Sequence, residues 1–222
     1  MSQSLGMRVV EASDRSLLVV LGEEISAEAH RKVLRLAPLL KSAHGVVNVH
    51  PAYTSILIDF DPLAIGHRDL ERMAAELNAQ AVAAPLPEPR TVEIPVCYGG
   101  EYGPDLEEVA ALHGRTAEDV AAIHASAEYL VYFLGFSPGF PYLGGMPESI
   151  AAPRLATPRR RVPAGSVAIG GRQTGVYPLA SPGGWRIIGR TPLWLFRPDQ
   201  DPPALLRMGD HVKFTPISKG DF

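Results

Sequence analysis

Cysteine is nearly absent: Cys97 is the only one in 222 residues. No internal disulfide can form, and a CxxC metal or redox motif is excluded. Cys97 ends the apolar run Val92–Cys97, with no histidine or basic residue beside it. It therefore reads as a buried structural thiol, not a nucleophile. Charge is also in short supply. A net charge of −3 gives no electrostatic reason to expect nucleic acid. Arg159-Arg160-Arg161 is the one basic triplet. Three arginines are too few to track a phosphate backbone, so they read as a solvated turn or an ion-pair site. No apolar run approaches the ~18 residues needed to cross a bilayer. The first residues lack a basic stretch followed by an apolar core, so no signal peptide is expected. The default location is cytoplasmic.

Several chemical signatures are missing as well. There is no GxxxxGK[ST]: Gly170-Gly171-Arg172-Gln173-Thr174-Gly175 is glycine-rich but lacks the lysine. There is no GxGxxG before a helix and no HExxH. The seven histidines are scattered, so no metal site is expected. Gly135-Phe136-Ser137-Pro138-Gly139 superficially matches the serine-hydrolase GxSxG. Pro138 removes the backbone N–H that follows the nucleophile and would serve the oxyanion hole, so that reading fails.

Glycine and proline are what the chain has in quantity, 21 of each, and nearly half of them fall between Leu134 and Arg190. Such a stretch cannot be helix interior. It also carries Phe136, Phe140, Tyr142, Tyr177, Trp185 and the run Ser166–Ile169. A disordered linker would lack that aromatic and β-branched content. Tight turns between short strands, with rings gathered at one surface, are expected there.

Ala83-Ala84-Pro85-Leu86-Pro87-Glu88-Pro89 reads as a linker, since alternating prolines keep it extended. The expected division is residues 1–84, a linker at 85–90, and residues 91–222. The first part reads as strands at Arg8–Glu11 and Ser16–Val20, a helix capped by Ser26, strands at Gly45–Val49 and Ser55–Phe60, and a helix from His67 to Asn78. Pro38 is expected to kink or shorten the first helix. The order ββαββα makes this an α+β domain, ferredoxin-like in a loose sense.

The second part opens with the strand Val92–Cys97. Two helices follow, with Pro104 near the first position of one and Thr116 with Asp119 capping the other. Later strands are expected at Tyr129–Leu134, Gly165–Gly170, Val176–Ala180, Trp185–Gly189, Leu193–Phe196 and His211–Phe214, the last entered from a hairpin turn at Gly209-Asp210. Many short strands after an early helical pair point to a mostly β, closed or nearly closed barrel.

The candidate ligand contacts follow from composition. Phe136, Ser137, Pro138, Gly139, Phe140 and Tyr142 would project rings from a rigid loop. Ser181, Pro182, Gly183, Gly184 and Trp185 form a second loop whose glycines let backbone N–H groups approach an anion. Gln173 and Thr174 offer an amide and a hydroxyl. Arg154, Arg159 and Arg190 would clamp a carboxylate or phosphate. His124 is the histidine nearest this region.

These motifs carry a resemblance. Tyr102–Leu106, His124, Val131–Phe140, Pro158-Arg159, Val162–Gly171, Gln173–Gly175, Tyr177-Pro178, Ser181–Trp185 and Ile188–Pro192 resemble the allophanate hydrolase subunit 1 / KipI / 5-oxoprolinase subunit PxpB family. The resemblance spans nearly the whole chain and is most specific after residue 90. It implies a cyclophilin-like barrel for the second domain. It implies a subunit of an ATP-dependent 5-oxoprolinase, working with a PxpC-like (allophanate hydrolase subunit 2-like) and a PxpA-like (LamB/YcsF-type) partner, and inactive alone. His124 and Arg159 are then the candidate polar participants in catalysis, with the two loops, Gln173, Thr174 and Arg190 as substrate contacts. Other members imply other roles: a KipI-like inhibitor of a sporulation-type histidine kinase, or a carboxyltransferase-type subunit of a urea/allophanate pathway. Peptidyl-prolyl isomerisation would rest on fold analogy alone.

Overall fold

The computed structural model describes residues 6–86 and 88–222. Pro87 of the expected linker and the first five residues of the expected first domain lie outside the described residues. The chain divides into two compact units, Met1–Glu88 and Pro89–Phe222.

The first unit is a four-stranded antiparallel sheet covered on one face by two helices. Its strands are β1 (Arg8–Ser13), β2 (Ser16–Val20), β3 (Val46–Pro51) and β4 (Ser55–Phe60), in the order β1-β2-β4-β3. Helix α1 (Ala27–Lys41) carries the chain from β2 to β3, with β4 between them, and α2 (His67–Ala81) follows β4. Strict alternation in β2 and β4 turns Leu17, Val19, Ile56, Ile58 and Phe60 to one face. There they meet the buried stripes of α1 (Val33, Leu36, Leu40) and α2 (Leu70, Ala74). The Ser26 side chain accepts from the Ala29 N–H and fixes the start of α1. Pro38 does not end α1, which runs on to Lys41. The proline itself is exposed, near the last turn of the helix.

The second unit is built on strands β5 (Thr91–Tyr98), β6 (Glu128–Leu134), β7 (Pro141–Gly144), β8 (Arg159–Val162), β9 (Ser166–Gly170), β10 (Gln173–Val176), β11 (Ser181–Gly183), β12 (Arg186–Arg190) and β13 (His211–Pro216). Seven of them form a closed barrel, ordered β10-β7-β6-β13-β5-β12-β9 and closed by β9 on β10. The other two, β8 and β11, pair as a separate ribbon. Helices α3 (Leu106–Leu112) and α4 (Ala117–Ser126) lie between β5 and β6, and Thr116 with Asp119 forms a complete capping box on α4. The barrel core is aliphatic with Tyr129 and Phe214 among it.

Pro104 stands immediately before the N-cap Asp105, near the helix start as expected. Three local expectations change. The strand expected at Val176–Ala180 lies earlier, at Gln173–Val176, where β10 can pair with β9. Leu193–Phe196 is no strand: Phe196 makes one bridge to Ala204, and Leu193 and Trp194 are exposed. β13 is no hairpin arm; it runs parallel to β5 and antiparallel to β6, so its pairings are non-local.

One feature of the barrel wall positions the site. Every residue of β9 is buried, so that strand is covered on both faces. Val167 and Ile169 enter the barrel core, whereas Ala168 joins a second cluster with Phe140, Val162, Tyr177, Trp185 and Ile187. That outer cluster floors the principal cavity.

Candidate functional site

The loop after β6 is held by three backbone bonds: Gly135 N–H to Phe140 O (3.0 Å), Ser137 N–H to Gly135 O (2.7 Å) and Phe140 N–H to Ser137 O (3.0 Å). Between them Phe136 adopts φ 65. Phe140 turns inward and becomes a hub. Its ring lies 5.2 Å from Tyr142, 5.3 Å from Tyr177, 5.4 Å from Phe136 and 5.7 Å from Trp185, all nearly edge to face.

Above this floor lies an open cavity of about 280 Å³. Phe136, Phe140, Tyr142, Tyr177 and Trp185 supply its aromatic walls; Arg154, Leu155, Pro158 and Pro182–Gly184 complete it. The Leu155 N–H donates to Gly184 O at 2.7 Å, tying the segment that carries Arg154 to the second loop. Arg186 donates to Pro153 O at 2.8 Å and anchors the same segment to β12. The Arg154 guanidinium stands 5.8 Å from the centre of the Trp185 ring. Burial pushes the Tyr177 hydroxyl up; a backbone hydrogen bond from Trp185 and the positive charge of Arg154 pull the other way. Tyr177 therefore stays protonated at neutral pH. The arrangement suits a small, flat ligand with one negative charge: rings bury its faces while a cation meets its anionic edge.

Among the expected contacts, Phe136, Phe140, Tyr142, Pro182, Gly183, Gly184 and Trp185 share this cavity. Ser137, Pro138 and Gly139 instead line a shallow depression on the far side of Phe136. The Ser181 hydroxyl is buried with no hydrogen-bond partner among the described residues. Arg190 belongs to another hollow of about 260 Å³, with Pro178, Trp194 and Phe222. Leu155 and Pro158 have no chemical signature that would reveal them in a sequence. Tyr177 is visible there as one ring among several, with nothing to single it out.

His124 and Thr174 are fully buried and form a relay. Thr174 Oγ1 donates to Ala168 O at 3.0 Å, so it accepts from His124 Nε2–H at 2.9 Å. Nδ1 is then the bare nitrogen, and Tyr98 Oη donates to it at 2.7 Å. The imidazole is enclosed by Tyr98, Tyr129 and Phe214, and burial pushes it down to about 3. The imidazole is therefore neutral at pH 7, and it does not line the cavity. Gln173 neighbours Thr174 on β10 and does not line the cavity either. Arg159 pairs with the buried Asp105 at 2.6 Å, and Asp105 also accepts the Ile187 N–H at 2.6 Å. The pair ties β8 to the start of α3, and Asp105 in turn ties α3 to β12. Cys97 is buried, which raises its thiol. Among the described residues no cluster of His, Cys, Asp or Glu could hold a metal ion, and no helix is long and apolar enough to cross a membrane.

The fold and cavity define a protein with an α+β unit followed by a β-barrel that presents an aromatic pocket on its outer wall. The chain belongs to the family described as carboxyltransferase domain, subdomain C and D, whose model matches residues 7–206. It is 45% identical to the B subunit of 5-oxoprolinase from Bacillus subtilis, over 97% of this chain and 95% of that one. The solved protein TTHA0988 matches 92% of the chain at 40% identity, with a TM-score of 0.81; the chain spans only 40% of TTHA0988. Kluyveromyces lactis urea carboxylase matches 97% of the chain at 21% identity, with a TM-score of 0.76, covering 22% of its own length. That last likeness bears on the fold alone.

Proposed function

We propose that this chain is a subunit of a cytoplasmic, ATP-dependent 5-oxoprolinase that opens 5-oxoproline to glutamate together with PxpC-like and PxpA-like partners. End-to-end identity of 45% to the B subunit of a 5-oxoprolinase supports the reading. The structural observation that carries it is Arg154 poised over Trp185 in a ring-walled cavity. 5-Oxoproline is a flat five-membered lactam with one carboxylate. Its ring would lie among Phe140, Tyr142 and Trp185, and its carboxylate would meet Arg154.

A lactam carbonyl is a poor electrophile. Transfer of the γ-phosphoryl group of ATP to the lactam oxygen would activate the carbon, and water would then open the C–N bond, leaving glutamate, ADP and phosphate. Tyr177 keeps its proton and sits in the cavity wall, where it would donate to the ligand. Gly170–Gly175, the glycine-rich segment, spans the tip of the β9–β10 hairpin, which turns at Gly171-Arg172 with Gly171 at φ 65, and it precedes no helix. ATP is accordingly assigned to the assembled complex and not to that segment, and the chain alone is read as inactive. His124 and Arg159 are reassigned from chemistry to positioning. The barrel is read as cyclophilin-like. The first unit is read as ferredoxin-like with the last strand moved to the front, since β2, α1 and β3 flank β4 as a split βαβ.

The test is ATP hydrolysis and glutamate release with 5-oxoproline, using this chain alone, then with both partners. Glutamate formed only in the mixture is expected. Absence of turnover in every mixture would leave the KipI-like kinase inhibitor as the better reading.

A further inference from the structure

The first unit holds a cavity of its own, a hollow of about 270 Å³ between α1 and the C-terminal end of α2. Arg31, Lys32 and Arg35 of α1 line it from one side and Asn78 of α2 from the other. Glu28 is the one carboxylate among its lining residues, and it pairs with Lys32 at 3.0 Å. Neither Arg31 nor Arg35 has a carboxylate within ion-pair distance among the described residues. Three cations and one carboxylate leave the hollow with a net charge of +2.

Two buried polar groups at this place lack a partner. Asn78 is only 7% accessible, and its amide has no hydrogen-bond partner among the described residues. An asparagine inside a helix is unfavourable, and a buried amide without a partner is more so. The Arg35 Nε is buried as well, with no acceptor. Arg31 and Arg35 also stand four residues apart on α1, a spacing at which like charges repel. Each of these features lowers the stability of the unit when the hollow is empty, and all of them belong to residues that line it. An oxyanion in the hollow would reverse all three, by accepting from the Arg35 Nε–H and the Asn78 amide and by neutralising the arginine pair.

We infer that this hollow binds a phosphoryl group, either as free phosphate or as the head of a small phosphomonoester. The net charge of +2 matches a phosphoryl dianion. Two guanidiniums offer paired N–H donors, the geometry that phosphate oxygens accept. The donors come from two helices and do not share a plane. A tetrahedral group presents oxygens in several directions, whereas a carboxylate presents both of its oxygens in one plane. Ala81 and Val82 complete the wall and would touch the organic part of an ester. A ligand held this way bridges α1 and α2, so occupancy stabilises the first unit. The inference goes beyond the 5-oxoprolinase reading and does not rest on it, since none of these residues lines the aromatic cavity.

The experiment titrates the full chain with sodium phosphate by calorimetry at constant ionic strength, with parallel titrations of glycerol phosphate and succinate. Saturable phosphate binding is expected, with succinate weaker by about tenfold. Arg31→Gln and, separately, Arg35→Gln should each weaken phosphate about tenfold, the usual size of a lost charge-assisted hydrogen bond. Arg68→Gln removes a cation elsewhere on the first unit and should change the affinity less than about twofold. Asn78→Leu is expected to raise the urea midpoint of the phosphate-free chain and to weaken phosphate binding, opposite effects that an amide with a purely structural role would not give. Glycerol phosphate binding tighter than phosphate assigns the site to a phosphomonoester; equal affinities assign it to free phosphate. The site would be overturned by absence of saturable phosphate binding, by succinate binding as tightly as phosphate, or by unchanged affinity in both arginine variants.

Discussion

Tyr177 lies directly under Gly183: a Cβ placed on Gly183 would come within 2.4 Å of the Tyr177 hydroxyl and 2.9 Å of its ring. The glycine is there to admit the ring. The same holds for Gly170, where a Cβ would meet the Trp185 indole at 2.5 Å. These glycines set the depth of the cavity floor.

Gly183→Ala should therefore push Tyr177 out of place and distort the cavity. A loss of about 1–3 kcal/mol in stability is expected from such overpacking, with a larger effect on ligand affinity. Gly184→Ala is the control, since its Cβ would make only ordinary contact with Pro158 at 3.5 Å. Urea denaturation and 5-oxoproline titration of both variants check this. Equal behaviour of the two would contradict the packing argument.

Arg154 is the cavity's cation, so Arg154→Met should weaken binding of 5-oxoproline roughly tenfold to a hundredfold, the range for losing a charge-assisted hydrogen bond. Binding of 2-pyrrolidinone, which has the lactam but no carboxylate, should hardly change. Calorimetry on the assembled complex distinguishes the two ligands. A parallel loss for both would mean that Arg154 shapes the wall and does not read charge.

Asp105→Asn tests the assignment of Arg159 to structure. The carboxylate is buried, meets Arg159 at 2.6 Å and accepts the Ile187 N–H. Removing its charge leaves a partly buried guanidinium without a counter-ion. A loss of about 1–3 kcal/mol in unfolding free energy is expected, with little change in KM for 5-oxoproline in the complex. A KM effect without a stability effect would return Arg159 to the ligand.

The physical reasons why some parts were legible in the sequence are specific. Alternation in β2 and β4, the Ser26 cap and the Thr116–Asp119 box are local signals, and each stands where local rules put it. Strands β7, β8 and β11 are three or four residues long, and β7 and β11 contain glycine and proline, so nothing local marks them. Leu193–Phe196 has the composition of a strand, but only Leu195 enters the core, Leu193 and Trp194 are exposed, and the segment makes a single bridge. The glycines of Ser181–Trp185 look like an anion nest in sequence, whereas at Gly183 the need is steric. His124 looks available because a sequence cannot show that Tyr98 and Thr174, distant along the chain, close on both of its nitrogens.

That enclosure makes His124 a source of pH-dependent stability. Burial pushes its imidazole down to about 3, and burial of His30 in the first unit pushes that group down to about 4. In the unfolded chain both titrate near 6.5. Above that value neither state binds the protons, and stability from these groups is complete. Below it the unfolded chain takes up two protons that the folded chain refuses, so stability falls as pH drops, by up to about 1.4 kcal/mol per unit for each histidine. The fall from His30 should level off near pH 4 and that from His124 near pH 3. Between pH 7 and 5, ordinary carboxylates are still ionised in both states, and the histidines dominate. Urea midpoints across that window should decline in the wild-type chain and decline less in His124→Gln. If the first unit unfolds separately, its transition should keep the His30 slope in both proteins. A flat wild-type profile from pH 7 to 5 would show that water or a partner reaches these imidazoles in solution.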